Sequence, residues 1–97
     1  MWLADLPGDK VRPIVVMTRG HVIPYLHSVI AAPVTSTVRG IPSEVALDAD
    51  DGLLHPSAAN FDNLQLVSRT LLIRRVGALS QPKLAAACRA LRFAVAC

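Results

Sequence analysis

The chain has 97 residues, of which 53% are hydrophobic and 18% are charged, and its formal net charge is +3. This length suffices for one domain over residues 1–97 and excludes two, and the hydrophobic share leaves so little polar surface that we expect a homodimer. No apolar run approaches the roughly 18 residues of a membrane span, and residues 1–10 lack a secretory pattern, so we expect a cytoplasmic protein without membrane contact.

Arginine supplies eight of the ten cationic side chains. Its planar guanidinium pairs with phosphate through two hydrogen bonds or stacks on bases, which favours an anionic partner without identifying one. Cys88 and Cys97 are nine residues apart on a predicted helix, which places them about 13 Å apart on nearly opposite faces. We therefore expect neither an intrachain disulfide nor a structural zinc site.

Short β-rich runs, broken by turn residues, fill the first two-thirds of the chain. They are WLADL (2–6), VRPIVVMT (11–18), RGHVIPYLH (19–27) and SVIAAPVTST (28–37). Pro13 is expected to mark the start of a central strand. Further strands are predicted over 43–47, 58–67 and 73–79, with an acidic loop at 48–52 and a turn or short helical link at 68–70.

The tail has a helical pattern from Ser80, the expected N-cap, to Cys97, with Pro82 in the first turn. Its apolar residues at spacings of four, seven and eleven predict one buried stripe, which comprises Leu84, Cys88, Leu91 and Val95. Phe93 points to the other side, as incidental surface or as a second contact with a partner. Together the elements predict a mainly β protein with α (α+β), a small, partly open β-barrel closed by a C-terminal helix.

Three segments, in this order, resemble the MazF/PemK family of toxins. They are WLADL leading to VRPIVV (2–16), APVTSTVRG followed by PSEV (32–45), and RVGALS (75–80). The resemblance implies an SH3-like barrel, usually a homodimer, that cuts single-stranded RNA at short sequences without a metal or cofactor. It also implies a cognate antitoxin. The family's usual Arg-Gly-Glu-like lead is missing before the first strand, which leaves open whether Met1 is the true start.

The resemblance also assigns the catalytic positions. Arg12 matches the arginine that opens the second strand, and Thr35 matches the hydroxyl residue that closes the third. Ser36 is expected to support them by hydrogen bonding a phosphate oxygen or by ordering Arg12. The loop at 7–11 is shorter than its counterpart in many relatives, so the recognised RNA sequence cannot be carried over.

Elementary chemistry supports this pair independently. RNA carries its own nucleophile, because its 2′-hydroxyl can attack the adjacent phosphorus and expel the 5′-oxygen. The enzyme must hold that geometry and stabilise the charge that builds on the non-bridging oxygens. A permanently charged guanidinium and a neutral hydroxyl donor are suited to this task. The general base is not identified by the sequence.

Further polar residues are predicted to bind RNA, some by contacts with its phosphates and some because they lie near the strand ends that carry Arg12 and Thr35. They are Lys10, Arg19, His21, Thr37, Arg39, Arg74 and Arg75. His21 is the best placed of the three histidines, although none matches a catalytic position. The acidic loop lacks the spacing of a calcium site and is expected to be a solvated turn, so no metal site is predicted.

Two other functions remain open at this point. SH3-like barrels also serve as binding modules without catalysis, and related toxins on this barrel act on gyrase. A guanidinium and a hydroxyl at adjacent strand ends, Arg12 and Thr35, favour catalysis over a binding module. The near-complete TSTVRG segment favours RNA cleavage over action on gyrase.

Overall fold

The computed structural model describes residues 1–8, 10–18 and 20–95, and of His21 it describes the backbone alone. Seven strands lie within these ranges: β1 (Trp2–Asp5), β2 (Val11–Val16), β3 (Ser28–Thr35), β4 (Glu44–Leu47), β5 (Ser57–Asn60), β6 (Gln65–Ser68) and β7 (Leu72–Arg75). Short 3₁₀ turns are η1 (Gly20–Tyr25), η2 (Ala49–Asp51), η3 (Phe61–Asn63) and η4 (Arg69–Leu71), and the α-helix is α1 (Gln81–Val95).

All strand pairs are antiparallel, in the order β4-β5-β3-β2-β1-β7, with β6 also paired to β3. The strand β3 is the longest, and two strands pair with the same edge of it. Its first half pairs with β6 and its last two residues pair with β5. The three residues of η3 interrupt what would otherwise be one continuous partner strand. Because β4 and β7 do not pair with each other in the described residues, the sheet is open, which confirms the predicted partly open barrel with a C-terminal helix.

Two clusters of buried side chains form the core, one on each face of the sheet. The first lies between the sheet and α1 and includes Val15, Val34, Phe61 and Ala90. The second lies on the other face and includes Ala4, Ile14, Val29 and Val67. Side chains alternate between the two faces along a strand. Val34 belongs to the first cluster, so its neighbour Thr35 lies on the face of the second cluster, and Arg12 lies on that same face because it is two residues from Ile14.

The predicted helix is confirmed, but its predicted buried stripe is wrong. Ser80 caps α1, since its Oγ atom accepts from Lys83 N at 3.4 Å and its carbonyl accepts the first helix bond from Leu84 N at 2.8 Å. Leu84, Cys88 and Val95 are exposed, Leu91 is half-buried, and the buried residues are Ala87 and Ala90. Larger side chains from β4 and η3 fill the space beneath the helix, so a face of alanines allows the close approach. Cys97 lies outside the described residues.

Three strand predictions also need correction. Within the run at 19–27, Gly20–Tyr25 form the 3₁₀ turn η1, whose interior Pro24 lacks the N–H of a ladder residue. The predicted strand at 58–67 is broken by η3, and the one at 73–79 ends at Arg75. Pro13 lies within β2, which begins at Val11. The predicted short link at 68–70 is confirmed as η4.

Candidate active site

The side chain of Arg12 links the second and third strands. Arg12 is the second residue of β2 and is half-buried. Its Nη1 atom donates to the carbonyl oxygen of Val34 at 3.3 Å. Val34 is buried and precedes Thr35, the last residue of β3. The guanidinium therefore lies beside the peptide unit that carries the hydroxyl residue.

Thr35 lies opposite Arg12 in the same register. The ladder between these strands ends at the pair of Ile14 with Pro33, and its register continued by two residues along each strand brings Arg12 opposite Thr35. The Thr35 Oγ1 atom accepts a hydrogen bond from Thr37 N at 3.1 Å. Because a hydroxyl has one proton and two lone pairs, this bond occupies an acceptor position and leaves the proton to be donated elsewhere. Thr35 can thus act as a donor to a phosphate oxygen.

The loop after Thr35 is held by Glu44, the first residue of β4. The Glu44 carboxylate, whose side chain is only 3% exposed, accepts from Arg39 N at 2.9 Å and Arg39 Nε at 3.2 Å. It also accepts from Gly40 N at 3.1 Å, and Gly40 has a positive φ of 68°. Only Val38 separates this anchor from Thr37. The hydrogen bond between Thr35 and Thr37 at the start of the loop and those from Arg39 and Gly40 to Glu44 therefore hold the same short segment in one conformation.

The same contacts lower the pKa of the Glu44 carboxyl. Burial alone raises it, but the hydrogen bonds from Arg39 and Gly40 and the charge of Arg39 outweigh burial and hold the pKa below its ordinary value of 4.5. Arg39 was predicted to bind RNA. The structure pairs its Nε with Glu44 and leaves its side chain 51% exposed, so its first role is to hold the loop.

A cavity of about 510 Å³ opens beside Arg12. Its walls come from the ends of β1, β2 and β3 and from η3 with the residues after it: Leu6, Arg12, Pro33, Asp62, Asn63, Leu64 and Gln65. It combines one cation, one carboxylate and two amides with apolar side chains. These groups can hold a phosphate, hydrogen bond the edge of a base and contact its face.

Asp62 is the part of this cavity that sequence reasoning missed. Its Oδ2 atom accepts from the hydroxyl of Ser43, a buried residue, at 2.6 Å, and its N–H donates to Asn60 Oδ1 at 3.0 Å. Phe61 N donates to Ser43 O at 2.9 Å. These bonds shape η3 and present Asp62, Asn63 and Gln65 to the cavity. The Asn-x-Asp spacing at 60–62 was the only local signal for this turn.

The remaining predicted residues are more scattered. Lys10 directly precedes β2 and is exposed, as are Ser36 and Thr37 after β3. These three lie next to Arg12 or Thr35 along the chain. Arg19 and the side chain of His21 lie outside the described residues.

Arg74 and Arg75 lie away from the cavity, on the edge strand β7. Arg75 lines a second cavity of about 650 Å³, together with Trp2, Met17, Ile23 and Leu84. This cavity also contacts Val15 and Val16, at the opposite end of β2 from Arg12. The two arginines are therefore not brought to Arg12 and Thr35 within this chain.

The acidic loop forms the 3₁₀ turn η2. Asp48 and Asp51 make a capping box, in which each side chain accepts from the other's backbone N–H. Lys83 of α1 lies 3.8 Å from Asp51 and donates to Ala46 O. Across the described ranges no three His, Cys, Asp or Glu side chains are grouped so as to hold a metal ion. None of the helices described has the length and apolar character needed to cross a bilayer.

Comparisons with known proteins identify similar sequences and structures. Residues 1–95 match the family described as PemK-like, MazF-like toxins of type II toxin-antitoxin systems. The chain is 38% identical over 98 residues to the probable endoribonuclease MazF5 of Mycobacterium tuberculosis, covering all of this chain and 90% of that protein. It is 44% identical over 82 residues to endoribonuclease MazF3 of the same species, covering 81% and 80%. The structure of the M. tuberculosis toxin MazF-mt6 is 39% identical, covers 98% of this chain and 94% of that chain, and superimposes with a TM-score of 0.91.

Proposed function

Because the chain belongs to the PemK-like, MazF-like family of toxins, we propose that it is the toxin of a type II toxin-antitoxin pair, an endoribonuclease that cuts single-stranded RNA. It acts in the cytoplasm as one domain, and its activity arrests translation and growth. Relatives that span the chain are named endoribonucleases. This favours RNA cleavage over a gyrase-directed toxin and over an SH3-like binding module without catalysis.

One observation carries the proposal: the Arg12 guanidinium lies 3.3 Å from the carbonyl oxygen of Val34, the residue before Thr35, where β2 begins and β3 ends. A scissile phosphate at this point would meet a fixed cation and a hydroxyl donor together. A binding module has no need of such a pair at one phosphate.

In the proposed reaction the RNA 2′-oxygen forms a bond to phosphorus, and the bond from phosphorus to the 5′-oxygen breaks. The 2′-hydroxyl proton is lost and the leaving oxygen gains a proton, which gives a 2′,3′-cyclic phosphate and a 5′-hydroxyl. Arg12 stabilises the negative charge that grows on the non-bridging oxygens, and Thr35 donates a hydrogen bond to one of them. The charge stabilisation comes from these side chains, so cleavage should persist in EDTA.

The cavity beside Arg12 would hold the nucleotide next to the scissile phosphate. Asp62 offers hydrogen-bond acceptors, and Asn63 and Gln65 offer both donors and acceptors. Leu6, Pro33 and Leu64 offer apolar contact to the face of a base. Ser36, Thr37 and Lys10 would contact the sugar-phosphate backbone on either side.

The proposed protein partners are a second copy of this chain and a cognate antitoxin. The exposed apolar residues Leu84, Cys88 and Val95 lie along one side of α1. Leu84 joins this stripe to the second cavity, which is lined largely by apolar residues. A second copy covering both would remove the exposed Leu84, Cys88 and Val95 side chains from water, and Arg75 and Arg74 would then lie near the dimer interface.

End-mapping of transcripts incubated with purified protein and EDTA tests the proposal. We expect cuts at a short recurring sequence, with cyclic phosphate and 5′-hydroxyl ends. Arg12→Ala and Thr35→Ala should abolish them while circular dichroism shows an intact fold. Uncut RNA across varied sequences would refute the proposal, and a parallel assay of DNA gyrase would identify the alternative toxin.

A further inference from the structure

The hydrogen-bond ladder between β2 and β3 has a defined phase. Met17 N donates to Ile30 O at 2.8 Å, which marks this pair as a hydrogen-bonded position of the ladder, while Ile30 N donates to Thr18 Oγ1 at 2.9 Å. In an antiparallel ladder such pairs recur at every second residue. The observed register of Val15 with Ala32 continues this phase, and the next hydrogen-bonded position pairs Pro13 with Val34.

At that position β2 cannot complete the pair. Proline has no backbone N–H, so Pro13 cannot donate to the carbonyl oxygen of Val34. Val34 is buried at 4% exposure, and a buried carbonyl without a donor is costly. The Nη1 atom of the neighbouring Arg12 donates to this oxygen instead, at 3.3 Å.

We propose that Pro13 is a positioning residue for Arg12. Because Pro13 has no backbone N–H, the Val34 carbonyl oxygen accepts a hydrogen bond from the Arg12 guanidinium instead. This bond holds the guanidinium beside Thr35. An N–H at position 13 would lie on the side of the Val34 oxygen that faces β2, where the guanidinium now binds. The inference rests on the proposed function, because it gives Pro13 a part in holding the catalytic cation.

Pro13→Ala tests the inference, with Pro56→Ala as the matched control in an exposed loop. The first variant introduces the missing N–H and the second does not touch the site. We expect kcat on single-stranded RNA to fall about 10- to 100-fold in Pro13→Ala, with a far smaller change in KM, because a misplaced catalytic group costs rate more than binding. Pro56→Ala should retain wild-type kcat.

A second variant separates the N–H from the shape of the side chain. Replacing residue 13 by the α-hydroxy acid analogue of alanine gives an ester, which has the alanine side chain but no N–H. We expect this ester protein to recover most of the kcat lost in Pro13→Ala. Thermal unfolding should show both variants folded at the assay temperature.

Hydrogen exchange gives a readout independent of activity. The amide that Pro13→Ala introduces should exchange slowly, as a ladder N–H does. Unchanged kcat in Pro13→Ala, equal loss in the ester protein, or rapid exchange at position 13 would each overturn the inference. Failure of the wild-type protein to cut RNA would instead refute the proposed function, and the exchange measurement would still decide whether position 13 reaches Val34.

Discussion

The Nη1 atom of Arg12 lies 3.3 Å from the carbonyl oxygen of Val34, and the next residue along the chain is Thr35. This contact ties the cation of one strand to the hydroxyl residue of its neighbour through a single peptide unit. Both groups therefore sit on paired strands, which hold their relative position more firmly than loops do. A site of this kind acts by stabilising charge at a fixed point rather than by supplying a nucleophile.

Arg12→Lys tests whether the shape of the guanidinium matters beyond its charge. Lysine keeps the positive charge but loses the planar fork that reaches Val34 O and a phosphate together. We expect kcat to fall about 100-fold. Single-turnover cleavage of a defined RNA measures the rate of the chemical step. Arg89→Lys, on the exposed side of α1, is the control. Wild-type rates in Arg12→Lys would mean that charge alone suffices.

Thr35→Val and Thr35→Ser separate the hydroxyl from the volume of the side chain. Valine keeps the shape and loses the donor, so kcat should fall by about 100-fold or more. Serine keeps the hydroxyl and the bond from Thr37 N, and it should retain most of the activity. Thr70→Val removes an exposed hydroxyl elsewhere and serves as the control. Equal losses in the serine and valine variants would assign Thr35 a packing role.

Asp62→Asn tests whether η3 helps to select the RNA sequence. The ionised carboxylate only accepts hydrogen bonds, so it favours a base edge that presents N–H groups, whereas an amide also donates. We expect the variant to cut at a changed or relaxed sequence at one position, with altered kcat/KM between RNAs of about 5- to 100-fold. Asp50→Asn in η2 is the matched control. An unchanged cleavage sequence would exclude Asp62 from base recognition.

The sequence prediction of Arg12 and Thr35 rests on two strands with strong apolar patterns and on the family resemblance, and the structure brings Arg12 to the peptide unit that precedes Thr35. The sequence did not predict the cavity beside them. Residues 58–67 have continuous strand composition, and η3 forms only because Asn60 caps Asp62 while Ser43 bonds both Phe61 and Asp62. Ser43 comes from a distant part of the chain, and no local pattern reveals that contact.

Helix α1 shows a different limit of sequence reasoning. The periodicity correctly placed Leu84, Cys88 and Val95 on one side of the helix. Hydrophobicity alone predicts that the leucine side is buried, because leucine is more hydrophobic than alanine. The side that packs closely against the sheet is instead the one with Ala87 and Ala90. Such a choice depends on the depth of the space beneath the helix, which the sequence of the helix does not contain.

Leu84→Asp tests the stripe as a dimer surface. Leu84 is 42% exposed, so an aspartate there should fold normally, yet a charge buried between two copies would be costly. We expect sedimentation to change from a dimer to a monomer of 10.4 kDa. Phe93→Asp, on another side of α1, should remain dimeric. Dissociation by Phe93→Asp alone would place the interface on that side instead.

The loop after Thr35 should weaken in acid. The pKa of Glu44 is lower in the folded protein than its ordinary value of 4.5, so between these two pKa values the unfolded chain binds more protons than the folded chain. The stabilisation from Glu44 is therefore complete well above pH 4.5 and is lost as the pH falls through the folded pKa.

Urea unfolding of the wild type and of Glu44→Gln, from about pH 7 to about pH 3, measures this contribution. The difference in unfolding free energy between them should be largest near neutrality and should shrink below pH 4.5, because protonation removes from the wild type the same charge that the variant lacks. A constant difference across the range would mean that the Glu44 side chain stabilises the loop by shape, and that its ionised oxygens are not what holds Arg39 and Gly40 in place.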